Sequence, residues 1–274
     1  MSNTENSTVR IKQFEELEFR DDFMFDITMR DKELCRDVIE RLTGQPVGEL
    51  VDVQAQKEFR TTVDGKPIRL DIYTKDDATV YDAEMQNLNK KPIDSLALPK
   101  RTRFYQSSID MDFISRGGYF KNLPESKIMF ICTFDPFGKG MSKYTFRERC
   151  DENPEMTISD GAEKIFFNCC YENDDISEGL RSFYDYVEYG KASDDLTRRI
   201  ETAVQEARKS EKWRSVYMKE RALFQELKEE GREEGRAEER KNTEQERIRA
   251  EKAEAELREL KAKYDLLLEG KNIG

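Results

Sequence analysis

Histidine is absent from all 274 residues. Its absence excludes Ser-His and Cys-His catalysis, His-ligated zinc or iron, and nucleases that use a histidine base. Any chemistry must draw on carboxylates, Lys, Tyr, Cys or a metal held through oxygen. Cysteine is scarce as well: Cys35, Cys132, Cys150, Cys169 and Cys170. The number is odd, two are adjacent and none form a C-x-x-C pair, which argues against a disulfide framework or a thiolate zinc site. Reduced, mostly buried thiols in a cytosolic protein are expected. No run approaches the ~18 apolar residues of a spanning helix, and the Ser-, Thr-, Asn- and Glu-containing start carries no apolar signal core. A soluble cytoplasmic protein with no membrane partner is the expectation.

Charge, by contrast, is abundant. Charged residues make up 38% of the chain and hydrophobic residues 36%, with a formal net charge of -11. The apolar residues concentrate before about position 225, and the remainder is mostly Glu, Lys, Arg and Ala. An ordinary core is therefore compatible with the polar average. An acidic chain is repelled by the phosphate backbone, so nucleic-acid binding would need a local basic strip. Lys90, Lys91, Lys100, Arg101 and Arg103 could form one, although the three lysines read equally well as surface charge.

The strongest chemical pattern is Arg69-Leu70-Asp71-Ile72-Tyr73, followed after a short turn by Val80-Tyr81-Asp82-Ala83-Glu84-Met85-Gln86. Residues two apart on a strand share a face, so Glu84 and Gln86 point the same way. A hairpin partner could bring Asp71 beside them. Two carboxylates and an amide at a sheet edge make an oxygen-ligand site for Mg²⁺ or Mn²⁺, with the carbonyl of residue 85 as a further ligand. Such an ion activates water for attack on a phosphodiester, which points to a metal-dependent nuclease. Gln86 would orient that water or bind a phosphate oxygen; it cannot accept a proton at neutral pH. Arg101 and Arg103 could grip phosphate, while Tyr105 and Gln106 could hydrogen-bond the site. Asp22 is a further candidate ligand or orienter. Two alternatives stay open: Asp82 shares Glu84's face and could replace it, and Arg101, Arg103 and Tyr105 could be a plain solvated helix face.

Along the chain, residues 1 to about 13 read as a disordered start. Asp21 or Asp22 caps a short helix, and Asp31 begins another in which Leu34, Val38, Ile39 and Leu42 share a face before Gly44. Strands follow in the 47–60 region, at 68–73 and at 79–86, with Asp64-Gly65 and Lys75-Asp76-Asp77 as turns. Residues 93–114 read as a long helix burying Leu96, Tyr105, Ile109 and Phe113, ended by Gly117-Gly118. The apolar run 127–134 reads as a central strand stopped by Asp135-Pro136. That order predicts a mixed α/β core, with 144–149 and 164–170 extending the sheet edge.

Helices are expected near 177–189, 193–209 and 211–230, with Trp213 and Phe224 in a core. The domain reading is a core over 14–175, a helical region over 176–230 packed on it, and a charged tail over 231–274. Isolated glycines cost a helix about 1 kcal/mol each, so Gly231 predicts a soft joint. Beyond it, Ala250, Ala253, Leu257, Leu260, Tyr264 and Leu267 alternate at spacings of three and four. That seam fits either a marginal coiled coil forming a homo-oligomer or a solvated single helix.

Several of these segments together resemble the PD-(D/E)XK nuclease-family transposases, also called the recombination-promoting nuclease family. They are Arg-Leu-Asp-Ile-Tyr, the Glu-Met-Gln, Leu-Pro-Lys-Arg-Thr-Arg-Phe-Tyr-Gln-Ser at 98–107, and Gly-Tyr-Phe-Lys-Asn-Leu-Pro at 118–124. To these are added Ile-Met-Phe-Ile-Cys-Thr-Phe-Asp-Pro-Phe at 128–137, Asp21 to Phe25 and the Glu-Glu-Gly-Arg tail. The resemblance spans roughly residues 17–240. It implies a restriction-endonuclease-like αβββαβ core and Mg²⁺-dependent DNA cleavage. Asp71 would be the first acid and Glu84 the second, with Gln86 where most of that superfamily has Lys.

Overall fold

The structure, a computed structural model, describes residues 12–59, 68–87, 97–172 and 176–271. The expected features at 1–11, Asp64-Gly65, Lys90, Lys91 and Leu96 lie outside the described residues. Two short helices open the chain, α1 (Asp22–Thr28) and α2 (Lys32–Thr43). Asp31 caps α2 by accepting from the Leu34 N–H at 2.9 Å, and Gly44 closes it in the left-handed region at φ 69°. Asp21 precedes α1 but makes no capping bond. Its carboxylate instead accepts from the Glu18 N–H and from Lys12 Nζ.

Six strands form one mixed sheet: β1 (Asp52–Phe59), β2 (Ile68–Lys75), β3 (Thr79–Gln86), β4 (Glu125–Cys132), β5 (Lys143–Phe146) and β6 (Ala162–Asn168). Their spatial order is β1-β2-β3-β4-β6-β5. The pairs β1–β2, β2–β3 and β5–β6 are antiparallel, while β3–β4 and β4–β6 are parallel. Helix α3 (Leu98–Ser115) carries the crossover from β3 to β4, as a parallel pair requires. The expected mixed α/β core is present, in the order helix, three strands, helix, strand. The two later strands extend the sheet beyond β4, as expected: β5 is the outer strand on that side, and β6 lies between, held parallel to β4 from Ser126↔Ala162 to Cys132↔Asn168.

Every residue of β3 is buried, as is β4 from Ser126 onward. One face buries Val80, Ile128, Phe130, Cys132 and Phe166 under Leu98, Tyr105 and Ile109 of α3. Phe113, expected on that buried side, is only half-buried. The opposite set, including Ala83, Met85, Met129 and Ile131, is equally buried, and α1 packs on β1, β2 and β3. Fully burying an aliphatic or aromatic side chain contributes about 1.5–3 kcal/mol, so this double-sided layer dominates the stability.

Helices α4 (Glu178–Tyr189) and α5 (Asp195–Lys209) pack on α2, and α5 also on α1. They belong to one compact unit running to Arg214. Trp213 is half-buried in this unit, with the Arg30 guanidinium 5.1 Å from its ring. The second unit, Ser215–Gly274, is carried on α6 (Glu211–Lys271). The expected soft joint is missing, because α6 runs unbroken through Gly231 and Gly235. A penalty of about 1 kcal/mol per glycine is too small to break a helix rich in Glu and Arg. Phe224 is 61% exposed rather than in a core.

These backbone geometries set a stability test. Gly190 closes α4 at φ 67°, where any side chain is strained. Gly190→Ala should lower stability by about 1 kcal/mol in urea denaturation, whereas Gly231→Ala should raise tail helicity by circular dichroism. Gains from both substitutions would contradict the left-handed cap.

Candidate active site

The backbone pairing of β2 with β3 runs from Lys75↔Val80 to Ile72↔Ala83. Beyond it the two acids take over the ladder. The Asp71 N–H donates to Glu84 Oε1 at 2.9 Å, and the Met85 N–H donates to Asp71 Oδ2 at 3.1 Å. Asp71 and Glu84 are thus cross-strand partners on one face, as the strand pattern predicts. Each holds the other strand's backbone in place of a carbonyl.

Helix α3 supplies the counter-charge. Arg101 donates from one terminal nitrogen to Glu84 Oε2 at 3.0 Å and from the other to Gln86 Oε1 at 3.2 Å. Its Nε and a terminal nitrogen also reach the Tyr105 hydroxyl, at 3.1 and 2.7 Å. Its guanidinium lies 5.4 Å from the Phe130 ring, which neighbours Glu84 on β4 and stacks between Tyr105 and Phe166. A cation over an aromatic face and forked onto a carboxylate is held in a defined place.

Glu84 is 1% exposed, whereas Asp71 and Arg101 are half-buried. Burial raises the Glu84 carboxyl to about 7, against the pull of the Asp71 N–H and Arg101; burial and the Glu84 charge raise Asp71 to about 8. Asp22, at the first turn of α1, adds to the negative field at both acids. Its own carboxyl is raised by desolvation and by Asp21. Asp82 is wholly buried on the same face, with its carboxyl against that of Glu84. Burial, then the Glu84 and Asp71 charges, hold its carboxyl well above the ordinary carboxylate range.

Asp71, Glu84, Gln86, Arg101 and Tyr105 are brought together, with Asp22 within electrostatic reach. Lys100 and Arg103 are exposed and make no ion pair among the described residues. Gln106 faces elsewhere, accepting from Ser126 Oγ and donating to Asp110. The carbonyl of Met85, expected as a further ligand, already accepts from Gln86 Nε2 at 3.0 Å. Sequence reasoning assigned no role to Arg69, which is exposed on β2 and lowers the Asp22 carboxyl. Its spacing of two from Asp71, on the same strand face, was the available signal.

Among the described residues no group of three or more Asp, Glu or Cys side chains forms a ready-made metal cage. The donor set nonetheless fits a cation that keeps most of its waters: two cross-strand carboxylates, both raised by burial without a full complement of positive charge. A cavity of about 420 Å³ between the β2–β3 turn and the end of α3 is a separate feature, lined by residues such as Tyr73, Ile109 and Arg116. No family model, curated protein or solved structure matches the chain.

The buried acids generate a pH prediction. A carboxyl raised on folding holds a proton that the unfolded chain has released, so stability falls as pH rises from about 4 towards 8. In EDTA, Tm should drop over pH 5–8. Asp82→Asn should raise Tm at pH 8 and flatten the drop. An unchanged melting curve at pH 8 would show that Asp82 carries no such penalty.

Proposed function

We propose that the chain is a Mg²⁺- or Mn²⁺-dependent DNA endonuclease with a restriction-endonuclease-like core, akin to the transposase-like enzymes that promote recombination. The observation that carries this reading is the reciprocal pairing of Asp71 and Glu84 across β2 and β3, with Arg101 forked onto Glu84 and Gln86. Asp71 and Glu84 would hold the cation. When bound, it would polarise a phosphate oxygen and lower the pKa of an attacking water.

The chain's own groups do the rest. Asp71 and Glu84 must lose their protons to hold a cation; their mutual repulsion opposes that loss, and the charge of a bound cation would offset it. Gln86 offers an amide able to orient water or hydrogen-bond a phosphate oxygen, but no proton acceptor. Arg101 supplies the fixed positive charge that a Lys in place of Gln86 would otherwise give, and its fork suits phosphate as well as carboxylate. Tyr105 keeps that fork oriented. DNA is the proposed partner and the cytoplasm the proposed location.

One observation favours a second reading, a catalytically inactive nuclease fold acting in DNA binding or protein assembly. Arg101 already neutralises Glu84, as a tethered cation would in a site that has given up its metal. Plasmid cleavage with Mg²⁺ decides between the two. Wild type should nick or linearise DNA, while Asp71→Ala and Glu84→Ala should each reduce the rate at least about a hundredfold. Titration calorimetry should show Mg²⁺ or Mn²⁺ binding that both variants lose. Equal cleavage by all three proteins, or no metal binding by wild type, would remove the nuclease reading.

A homo-oligomer through the tail is the companion proposal. Leu257 and Leu260 lie on the predicted seam of α6 and are 52% and 66% exposed. A second copy would cover them. Light scattering should give a dimer mass for wild type and a monomer mass for the Leu257→Asp/Leu260→Asp double variant. Monomers in both would end that proposal.

A further inference from the structure

Helix α3 has an outer face that the site does not use. Lys100, Phe104, Ser107 and Met111 recur at spacings of four, three and four, and so lie in one row along the helix, with Arg103 beside it. All five are exposed, Phe104 by 50% and Met111 by 55%. The Phe104 ring makes no contact with another aromatic ring among the described residues. The ring is left bare within one helical turn of Lys100 and Arg103.

The sequence around it is free of acidic residues. The chain has 58 acidic residues, yet residues 98–109 include Lys100, Arg101 and Arg103 and no acid at all. This stretch is locally positive in a chain of net charge -11. Phe104 follows Arg101 by three positions and adjoins Tyr105 in sequence. The ring therefore borders the edge of the helix from which Arg101 reaches Glu84.

We infer that Lys100, Arg103 and Phe104 form a stacking platform for an unpaired base of the DNA strand entering the site. The two cations would track its phosphates, and the ring would take the face of a splayed base. Every base has a π-face, so the platform selects strand state and not sequence. It rests on the nuclease reading above and narrows the substrate to DNA with a single-stranded segment, such as a flap, gap or frayed end.

The test is equilibrium binding of full-length protein, in EDTA, to a fluorescein-labelled single strand and to a blunt duplex of the same sequence. Phe104→Ala should weaken single-strand binding about tenfold while leaving duplex binding within about twofold, and Phe104→Trp should restore it. Arg103→Gln should weaken both and lower the salt slope by about one. Wild-type affinity in Phe104→Ala, with its plasmid cleavage intact, would overturn the platform alone. Failure of wild type to bind either DNA would overturn the platform and the nuclease reading together. A Phe104→Ala protein that loses only a dimer, by light scattering, would give the face to a second copy of the chain and overturn the inference.

Discussion

The exchange between Asp71 and Glu84 is the constraint from which the site follows. At the point where β2 and β3 stop pairing through their backbones, each strand's free N–H is taken by the other strand's carboxylate. A hydrogen bond to a charged group is worth about 1.5–3 kcal/mol, so these bonds are strongest where the two acids are ionised. The acids thus pin the strand ends and fix their own separation. Their placement within the sheet also forces a counter-charge, because two carboxylates at this depth repel one another. Arg101 meets that demand in part.

The aromatic column behind Arg101 explains why the answer is only partial. Phe130 stacks between Tyr105 and Phe166, a wall that supports the guanidinium from one side but offers no further donor. Asp82, on β3, is buried against Glu84 and gets no hydrogen bond from that wall. Burying a carboxylate is expensive, and the cost appears as a raised pKa. Three acids and one guanidinium share a face that is therefore short of positive charge. This is a destabilising arrangement for a purely structural core.

Much of this was legible because it is local. The Arg-Leu-Asp-Ile-Tyr and Glu-Met-Gln strands, the Asp31 and Gly44 caps and the apolar run of β4 each carry their signal within a few residues. Parallel pairing does not: β6 lies between β4 and β5 through contacts that no nearby residue announces. The rotation of α3 was legible in part: Tyr105 and Ile109 read as buried, and Arg101, four residues before Tyr105, turns inward with them, whereas Phe113 is only half-buried. Phe224 read as core because an aromatic residue usually is, whereas it lies on an exposed face of α6. The 420 Å³ cavity had no sequence signature at all.

The crossover through α3 has a consequence for how the chain folds. Asp71 and Glu84 are 13 residues apart, and Glu84 and Arg101 are 17 apart. Closing loops of this size sacrifices little chain entropy, and the cost grows only slowly with length. The charged centre is therefore of low contact order, zipped together by a hairpin and the next helix. It needs no distant segment to bring its members within reach, and the helices beyond β6 enclose a constellation whose geometry is already set.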